Sequence, residues 1–435
     1  MQNMWVRNSL RLCVFALILC CPIFVFAQTN QGEKTDRDVD SYTLSPERYE
    51  QAIEYARTRY IRYFISAAYG LVLVWLFLRY RVAPRFRDLA EKVSRWRFVQ
   101  VAVFTPLLIG ALSLFTLPLD VHGHYLSMKY QQSIQGWPSW FWDWLKSFLI
   151  GAGIGTIIVW ILYGVIRRSP KAWWFYFWLA SLPLIFFFLF ITPLVIDPLF
   201  FKFEPLDKKA PQLVGEIGKV VQRGGLAIPR DRMFWMNASE KVKSLNAYVT
   251  GFGASKRVVV WDTTLSKLNV PQTLYVFGHE MGHYVLHHVL KTVAFIAILL
   301  LIFLFVGFRY MHALVAKYGI GWDIRDVADY ASLPVFLFLF FLSSFLATPL
   351  ISSYSRVQEH NADVYGLEVI HGIVPEPQKA AAIAFQVLGE INLSDPEPHP
   401  FIKFWLYTHP PLNERLMFAR NYDPWKEGSS PKYIP

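Results

Sequence analysis

Hydrophobic residues along this chain of 435 residues are gathered into long runs, which polar and charged stretches separate. Beyond Tyr60, six runs have about the length that a helix needs to cross a bilayer, roughly 20 residues. Their approximate limits are Ile61–Leu78, Phe98–Leu119, Ser147–Ile166, Ala172–Ile191, Thr292–Phe308 and Leu333–Ile351. The pattern predicts an all-α, multi-span membrane protein.

An earlier hydrophobic run, Leu12–Ala27, follows two arginines and ends in Val-Phe-Ala. This order is typical of a secretory signal peptide over residues 1–27, cleaved before Gln28. An uncleaved first membrane helix is the alternative interpretation. The polar stretch 28–60 that follows is predicted to be exported, with a surface helix over Pro46–Arg59.

The hydrophobic runs divide the rest of the chain into four parts. We expect four membrane helices over 61–196, a soluble insertion over 197–290, a two-span hairpin over 291–351 and a C-terminal helical part over 352–435. Within the insertion, the patterning predicts one helix and three short strands, at Pro205–Arg223, Arg232–Asn237, Asn246–Phe252 and Arg257–Asp262. The insertion is therefore expected to be a small α+β domain.

Composition changes this picture in one respect, the orientation in the membrane. The chain is 54% hydrophobic and only 17% charged, with a formal net charge of +11. Much of the basic charge lies in short loops at 79–97, 167–171 and 309–325. Such loops usually face the cytoplasm. Their basic charge is therefore explained by orientation in the membrane, and we expect contact with membrane lipids and no nucleic-acid partner. The insertion and the part after Ile351 then face outwards, towards the periplasm in a bacterial-type inner membrane.

Candidate chemistry is concentrated in the stretch His279-Glu-Met-Gly-His283 near the end of the insertion. On a helix these two histidines share one face, and their imidazoles can bind one Zn²⁺. Glu280 then lies beside a water that the metal activates. All three cysteines fall within the first hydrophobic run, so further ligands must be His, Asp or Glu.

A third ligand is expected from the part of the chain that the predicted hairpin returns to the same membrane side. There the sequence reads Ser355-Arg-Val-Gln-Glu-His-Asn-Ala-Asp363. Glu359 can complete a His₂Glu set that leaves a position for water. Asp363, one turn further on, can accept a hydrogen bond from a ligand imidazole and hold its ring in place.

These motifs resemble the CAAX prenyl protease 1 family of membrane zinc endopeptidases. The H-E-x-x-H stretch and the Ser355–Asp363 stretch match it, and further matching stretches are Asn246–Gly253, Lys256–Asp262, His409–Arg415 and Ile196–Phe200. The resemblance covers roughly Pro46 to Arg415. It implies a helical barrel of membrane helices around an internal chamber, with the zinc site at one end.

The resemblance also implies roles for individual residues. It gives one zinc ion per chain, held by His279, His283 and Glu359, with Glu280 as the general base. Asn246, on a strand beside the site, would contact the substrate backbone. His409 and Arg415 would stabilise the negative charge that develops on the scissile carbonyl oxygen. Apart from the resemblance, the edge strand Asn246, Ala247 and Tyr248 could hold an extended peptide by strand addition.

The expected substrate is a peptide or protein at the membrane, with or without a lipid group. Eukaryotic members of the family are similar to this chain but begin with an ordinary span and keep the zinc side in the cytosol. The signal-like start and the outward zinc side predicted here argue against a prenylated CAAX substrate.

Alternative interpretations concern both the histidines and the function. His287 and His288 are predicted at the membrane surface rather than at the metal, and His122 and His124 in a loop, with a second metal site as the alternative. The alternative role for Arg415 is an ion pair with Glu414 or Glu359. For the whole chain, a metal transporter and a membrane quality-control factor with a non-catalytic zinc site are the rival functions.

Overall fold

The computed structural model describes residues 39–251, 256–426 and 428–434. The predicted signal peptide, residues 1–27, and the segment that follows it up to residue 38 lie outside the described residues. Within the described part the chain is mainly helical, and one small sheet lies in the predicted insertion.

Six long apolar helices account for the predicted membrane runs. In chain order, with the short helix Val82–Val93 as α2, they are α1 (Pro46–Arg79), α3 (Arg97–Lys129), α4 (Trp137–Arg168), α5 (Trp173–Ile191), α9 (His288–Trp322) and α10 (Leu333–Ile370). By length and hydropathy all six can cross a bilayer, which confirms the multi-span prediction. The helices extend well beyond the hydrophobic runs, so Pro46–Arg59 is the first part of α1 rather than a separate surface helix.

The prediction that His122 and His124 lie in a loop is wrong. Helix α3 continues to Lys129, and a short loop connects it to α4. In this loop Ser133 forms an isolated β-bridge with Val242 of the insertion. The His124 ring is buried, stacked on Trp140 at 5.0 Å and edge-on to Trp137 at 4.5 Å between ring centroids. Two tryptophans of α4 therefore enclose this imidazole.

The insertion contains a four-stranded mixed sheet with the order β1-β2-β4-β3. The strands are β1 (Phe203–Pro205), β2 (Met233–Met236), β3 (Ala247–Thr250) and β4 (Arg257–Trp261). β2 and β4 are parallel, whereas the outer strands run antiparallel to their neighbours. The helix predicted from Pro205 begins only at Pro211, as α6 (Pro211–Arg223), because β1 and a short 3₁₀ turn come first.

Helices α7 (Asp262–Lys267) and α8 (Val270–Val285) follow the sheet and lead into span α9. After α10, the C-terminal part forms three helices: α11 (Pro377–Asn392), α12 (Pro400–Leu406) and α13 (Leu412–Asn421). One hydrophobic core joins the sheet to α6, α8, α11, α13 and the end of α10. The insertion and the C-terminal part therefore pack as one body at one end of the spans.

The far end of the spans is held by a buried ion pair. The Arg87 guanidinium in α2 lies 2.6 Å from the Asp329 carboxylate, and each side chain is only 3% exposed. Arg87 also donates to the Asp323 carbonyl at 2.9 Å. Asp329 in turn accepts from the backbone N–H groups of Arg325 and Ala331. A basic residue from the first loop is thus fixed against the turn between the last two spans.

Replacing Arg87 with Met should lower the free energy of unfolding by about 3–5 kcal/mol, because the Asp329 charge would stay buried without its partner. The measurement is the unfolding midpoint of the purified protein in detergent. The matched control is Lys129→Met, which removes an exposed pair with Glu54 and should cost about 1 kcal/mol or less. Equal shifts for the two variants would contradict the structural role of the buried pair.

Candidate metal centre

The helix that carries the H-E-x-x-H stretch, α8, has a well-defined start. The Asn269 side chain accepts from the Gln272 backbone N–H, and the Gln272 side chain accepts from the Asn269 N–H, each at 3.0 Å. Pro271 lies in the first turn, where its missing N–H has no intrahelical partner to lose. This capping box fixes where α8 begins, and with it the face that presents both histidines.

Helices α8 and α10 come into backbone contact because glycines face each other where they meet. A Cβ added at Gly366 would lie 3.0 Å from the His279 nitrogen, and one at Gly278 would lie 3.2 Å from the Gly366 carbonyl oxygen. Contacts this short leave no room for larger residues. The close approach carries α10, and the carboxylates on it, up to the two histidines.

The three predicted ligands meet where α8 and α10 touch. His279 Nε2 lies 3.1 Å from His283 Nε2 and 3.3 Å from Glu359 Oε2, and His283 Nε2 lies 3.5 Å from Glu359 Oε1. Among the described residues this is the group of His, Cys, Asp and Glu side chains whose spacing suits a metal ion.

The geometry fits a tetrahedral cation such as Zn²⁺. Ligand atoms about 2.0–2.1 Å from such an ion lie about 3.3 Å from one another. The nitrogen–nitrogen distance of 3.1 Å and the nitrogen–oxygen distances of 3.3 and 3.5 Å, each to a different oxygen of Glu359, lie close to that value. Glu359 is buried, and its Oε2 atom lies 3.3 Å from His279 Nε2 and 3.0 Å from His409 Nε2. A buried carboxylate oxygen that faces imidazole nitrogens is well suited to a cation.

Protonation of the two histidines follows from their surroundings. Burial lowers the pKa of His283 to about 3, so its imidazole is neutral, the form that binds metals. Burial acts in the same direction on His279, but hydrogen bonds with Asp363 and Glu359 outweigh it and raise the pKa to about 9. A proton and a cation therefore compete for His279 Nε2.

Asp363 orients the His279 ring from behind. Its Oδ1 atom lies 2.8 Å from His279 Nδ1, and it also accepts from the Tyr275 hydroxyl at 3.2 Å. Arg415 donates two hydrogen bonds to the same carboxylate, from Nε to Oδ2 at 2.8 Å and from Nη2 to Oδ1 at 2.6 Å. The predicted position of Asp363 one turn beyond Glu359 thus brings it to the rear nitrogen of a ligand.

Arg415 and His409, both assigned to the substrate by the resemblance, occupy different places. Arg415 is buried, with its guanidinium on Asp363 and over the Phe385 ring at 4.5 Å. Its pairing with Glu359 is secondary, at 3.8 Å, and Glu414 pairs instead with Lys403. His409 Nε2 lies 3.0 Å from Glu359 Oε2, beside the cluster of His279, His283 and Glu359.

Glu280 follows His279 and is half-buried. Burial raises the pKa of its carboxyl to about 7; the neighbouring His279 opposes the shift and Glu359 adds to it. A carboxylate with a pKa near neutrality both accepts and returns a proton readily, as a general base must. The sequence had placed this carboxylate beside the metal ligands, and the structure adds the burial that tunes it.

Ala247 and Tyr248 lie in β3, an outer strand of the sheet against α8, and Asn246 immediately precedes this strand rather than belonging to it. The Asn246 backbone N–H donates to Thr264 Oγ1 at 2.8 Å, and its carbonyl accepts from the Trp261 N–H at 3.1 Å. The Ala247 side chain is fully buried in the core, and Tyr248 packs on the opposite face of the sheet. Side chains of Ala247 and Tyr248 are thus committed to packing, which leaves the strand backbone for other contacts.

Sequence reasoning missed the part that His288 plays. Predicted at the membrane surface, it is only 4% exposed, and its Nδ1 atom lies 2.9 Å from Nδ1 of the ligand His283. On an unbroken helix, residues five apart do not meet face to face. Here His287 has the left-handed backbone conformation (φ 56°, ψ 32°), which separates α8 from α9 and turns His288 back. His360, by contrast, packs on Phe418, away from the ligands.

Fold and site together define a membrane-embedded metallopeptidase, and comparison with known proteins agrees. The profile of peptidase family M48 matches residues 207–423, and that of the CAAX prenyl protease N-terminal region, with five membrane helices, matches 37–202. The uncharacterized metalloprotease YhfN of Bacillus subtilis is 35% identical over 92% of this chain and 90% of its own length.

More distant relatives give the same result. The CAAX prenyl protease 1 homolog of Dictyostelium discoideum is 25% identical over 86% of each chain, and the CAAX prenyl protease 1 of Saccharomyces cerevisiae is 24% identical over 86% of each. The crystal structure of S. mikatae Ste24p superimposes with a TM-score of 0.70, at 23% identity, covering 87% of this chain and 89% of that one. The chain belongs to peptidase family M48 and is a membrane zinc metalloendopeptidase.

His288 provides a test of how the ligands are held. His283 presents Nε2 to the cluster, so its Nδ1–H donates to His288 Nδ1. Replacing His288 with Leu removes the acceptor and should weaken metal binding by about 10–100-fold. His288→Asn places an amide oxygen near the position of Nδ1 and should retain most of the affinity. The measurement is competition for zinc with a chromophoric chelator.

The control is His312→Leu, which changes an exposed histidine on the same helix, α9. It should leave the zinc affinity unchanged. If His288→Leu binds zinc as tightly as the unaltered protein, the contact with His283 has no role in holding the ligand.

Proposed function

We propose that the chain hydrolyses peptide bonds in membrane-associated proteins, using one Zn²⁺ held by His279, His283 and Glu359. The observation that carries the proposal is the meeting of two imidazole nitrogens and the Glu359 carboxylate at 3.1–3.5 Å, with Glu280 beside them. When bound, zinc supplies a Lewis acid and lowers the pKa of a water molecule towards about 7. The remaining roles belong to this chain's own residues.

Glu280 is the proposed general base. Its carboxylate accepts a proton from the attacking water as the new C–O bond forms at the scissile carbonyl carbon. It then passes that proton to the amide nitrogen as the C–N bond breaks, so the reaction leaves Glu280 unchanged. A pKa of about 7 supports both transfers near neutral pH.

His409 is proposed to stabilise the developing negative charge on the carbonyl oxygen, since its Nε2 atom lies beside the ligand cluster, 3.0 Å from Glu359 Oε2. For Arg415 the two hydrogen bonds to Asp363 favour an indirect part, in which it holds the carboxylate that orients His279. Its charge also reaches Glu359, 3.8 Å away, and thereby the same oxyanion region.

The substrate is proposed to bind as an added strand along β3, an outer strand of the described sheet. Backbone groups of β3 around Ala247 and Tyr248 would hold it extended, with the scissile carbonyl at the metal, and the Asn246 side chain would contact the substrate backbone. The packed side chains of Ala247, which is buried, and Tyr248, which is partly buried, support this backbone-directed binding. Strand addition reads few side chains, so it suits varied protein substrates, lipidated or not.

A metal-transport function is not favoured by the geometry. Transport sites usually lie near the middle of the membrane on broken helices. Here the ligands lie on α8 and on the end of α10, level with Thr292 at the predicted start of the fifth span, where the Thr292 hydroxyl donates to Gln358 at 3.0 Å. A non-catalytic zinc site would normally have four protein ligands, and this cluster has three with a base beside it.

Glu280→Gln should reduce peptide cleavage by about 10²–10⁴-fold, because the amide cannot accept the proton. Zinc content, measured by atomic emission on the purified protein, should remain at one ion per chain. The assay uses a quenched fluorescent peptide, with chelation and zinc restoration of the unaltered protein as the reference. Glu216→Gln, on an α6 residue remote from the ligands, is the matched control and should leave the rate unchanged.

Cleavage by Glu280→Gln at the unaltered rate would refute its assignment as the base. Loss of zinc from that variant would instead assign Glu280 to holding the metal. Cleavage that survives removal of zinc from the unaltered protein would overturn the proposed function itself.

We also propose that the metal centre faces the periplasm of a bacterial-type inner membrane, with the three basic loops in the cytoplasm. A phosphatase reporter, active only after export, should be active when fused after Pro435 and inactive when fused after Arg325, between the last two spans. A green fluorescent reporter should give the reverse pattern. The opposite result for both fusions would place the metal centre in the cytoplasm.

A further inference from the structure

The short helix α12, Pro400–Leu406, follows the last span but has an outward face of large apolar residues. Phe401 is 48% exposed and Phe404 is 51% exposed, whereas Leu406 on the opposite face is buried. A water-facing helix of the C-terminal part would be expected to present polar residues on that side. The exposed apolar face of α12 therefore indicates that something other than water covers it.

Contacts with α1 fix the depth of α12. The Tyr407 hydroxyl, just after the helix, lies 2.7 Å from the hydroxyl of Tyr60, which immediately precedes the predicted first span. The Phe401 ring lies 6.1 Å from the ring of Phe64, centroid to centroid. Phe64 is four residues further along α1, about 6 Å deeper. Helix α12 thus lies inside the apolar part of the first span, with its C-terminal end at the edge.

Contacts with α10 give the same depth independently. The Ser352 hydroxyl, one residue beyond the predicted limit of the last span, donates to the Trp405 carbonyl at 3.2 Å. The Trp405 ring reaches Phe345, at 5.1 Å between centroids. Phe345 lies six residues inside that limit, about 9 Å along the helix. Two spans therefore place α12 within the outermost turns of the membrane layer.

The ends of α12 are satisfied by side chains, as a helix next to lipid requires, because no water is present to bond its free backbone groups. At the C-terminal end the Arg356 guanidinium donates to the Lys403 carbonyl at 3.0 Å and to the Tyr407 carbonyl at 2.5 Å. At the N-terminal end the His399 ring accepts from the Phe401 N–H at 3.2 Å. Lys403 pairs with Glu414, so its charge is directed towards the C-terminal part.

The apolar face of α12 continues the exposed apolar surface of the two spans beside it. On those spans, residues next to Phe64 and Phe345 and along the same helix faces are half or more exposed: Ile61, Ile65, Leu346, Leu350 and Val357. Spans of this hydropathy face lipid. Since rings of α12 contact Phe64 and Phe345 next to these exposed residues, the same solvent covers both.

We infer that α12 is an interfacial helix that inserts Phe401 and Phe404 among the acyl chains of the leaflet on the metal side. His409 follows the helix by three residues and reaches Glu359, so the insertion anchors one wall of the metal centre to the bilayer. Membrane-surface helices are bound in this way when an apolar face enters the headgroup and acyl boundary by about 5–10 Å. The inference goes beyond the proposed peptidase activity, and its test does not measure cleavage.

The test uses the full chain in nanodiscs, with Cys13, Cys20 and Cys21 replaced by Ser and one new cysteine carrying a nitroxide spin label. Phe404→Cys is the test site, and Phe401→Cys is a second site one turn away. Power saturation measures collision of each label with oxygen, which concentrates in lipid, and with a neutral nickel chelate, which stays in water. Leu346→Cys in the last span is the lipid control, and Glu397→Cys, just before α12, is the water control.

The expected result is that both α12 labels respond to oxygen as Leu346→Cys does and respond several-fold less to the nickel chelate than Glu397→Cys. A response to nickel equal to that of Glu397→Cys would overturn the inference, since α12 would then face water. Shielding of both α12 labels from oxygen and nickel alike would also overturn it, because a second copy of the chain or a protein partner would then cover the face.

Discussion

The contact between α8 and α10 is the constraint on which the metal centre depends. α8 belongs to the soluble insertion and α10 is the last membrane span, yet their backbones touch where Gly278 and Gly366 face each other. A side chain at either glycine would push the helices apart. Glu359 lies two turns before Gly366 on α10, so any separation would move the carboxylate away from His279 and His283, and the ligand distances of 3.1–3.5 Å would be lost.

This contact buries charge, and the charges are stable there because each has a partner. Asp363 accepts hydrogen bonds from His279, Tyr275 and Arg415, which together favour its ionised form. Removing one member of such a buried set leaves another charge without compensation, which is more costly than losing an exposed pair. The glycines let the helices meet, and the Asp363–Arg415 pair fixes how α10 is rotated about its axis when they do.

The sequence predicted those parts of the site that local rules govern. The spacing of His279 and His283 requires only helical periodicity. Glu359 followed from the hairpin topology of two spans. His288 did not, because its approach to His283 depends on the left-handed conformation of His287, which residue type does not announce. Likewise β1 and the partners of Arg87 depend on tertiary contacts between segments far apart in sequence.

The same tertiary contacts set the height of the metal centre relative to the bilayer. The hydroxyl of Thr292, where the fifth hydrophobic run begins, bonds to Gln358, the neighbour of the ligand Glu359. The carboxylate therefore lies level with the end of the apolar layer, while Ser352 and Arg356 hold α12 one to two turns deeper on the same helix. For the substrate proposed above, a segment that leaves the membrane surface would meet the proposed ligands within its first few residues. A long soluble loop would instead have to descend to the lipid boundary, so the height of Glu359 on α10 supports the proposal that the substrate is membrane-associated.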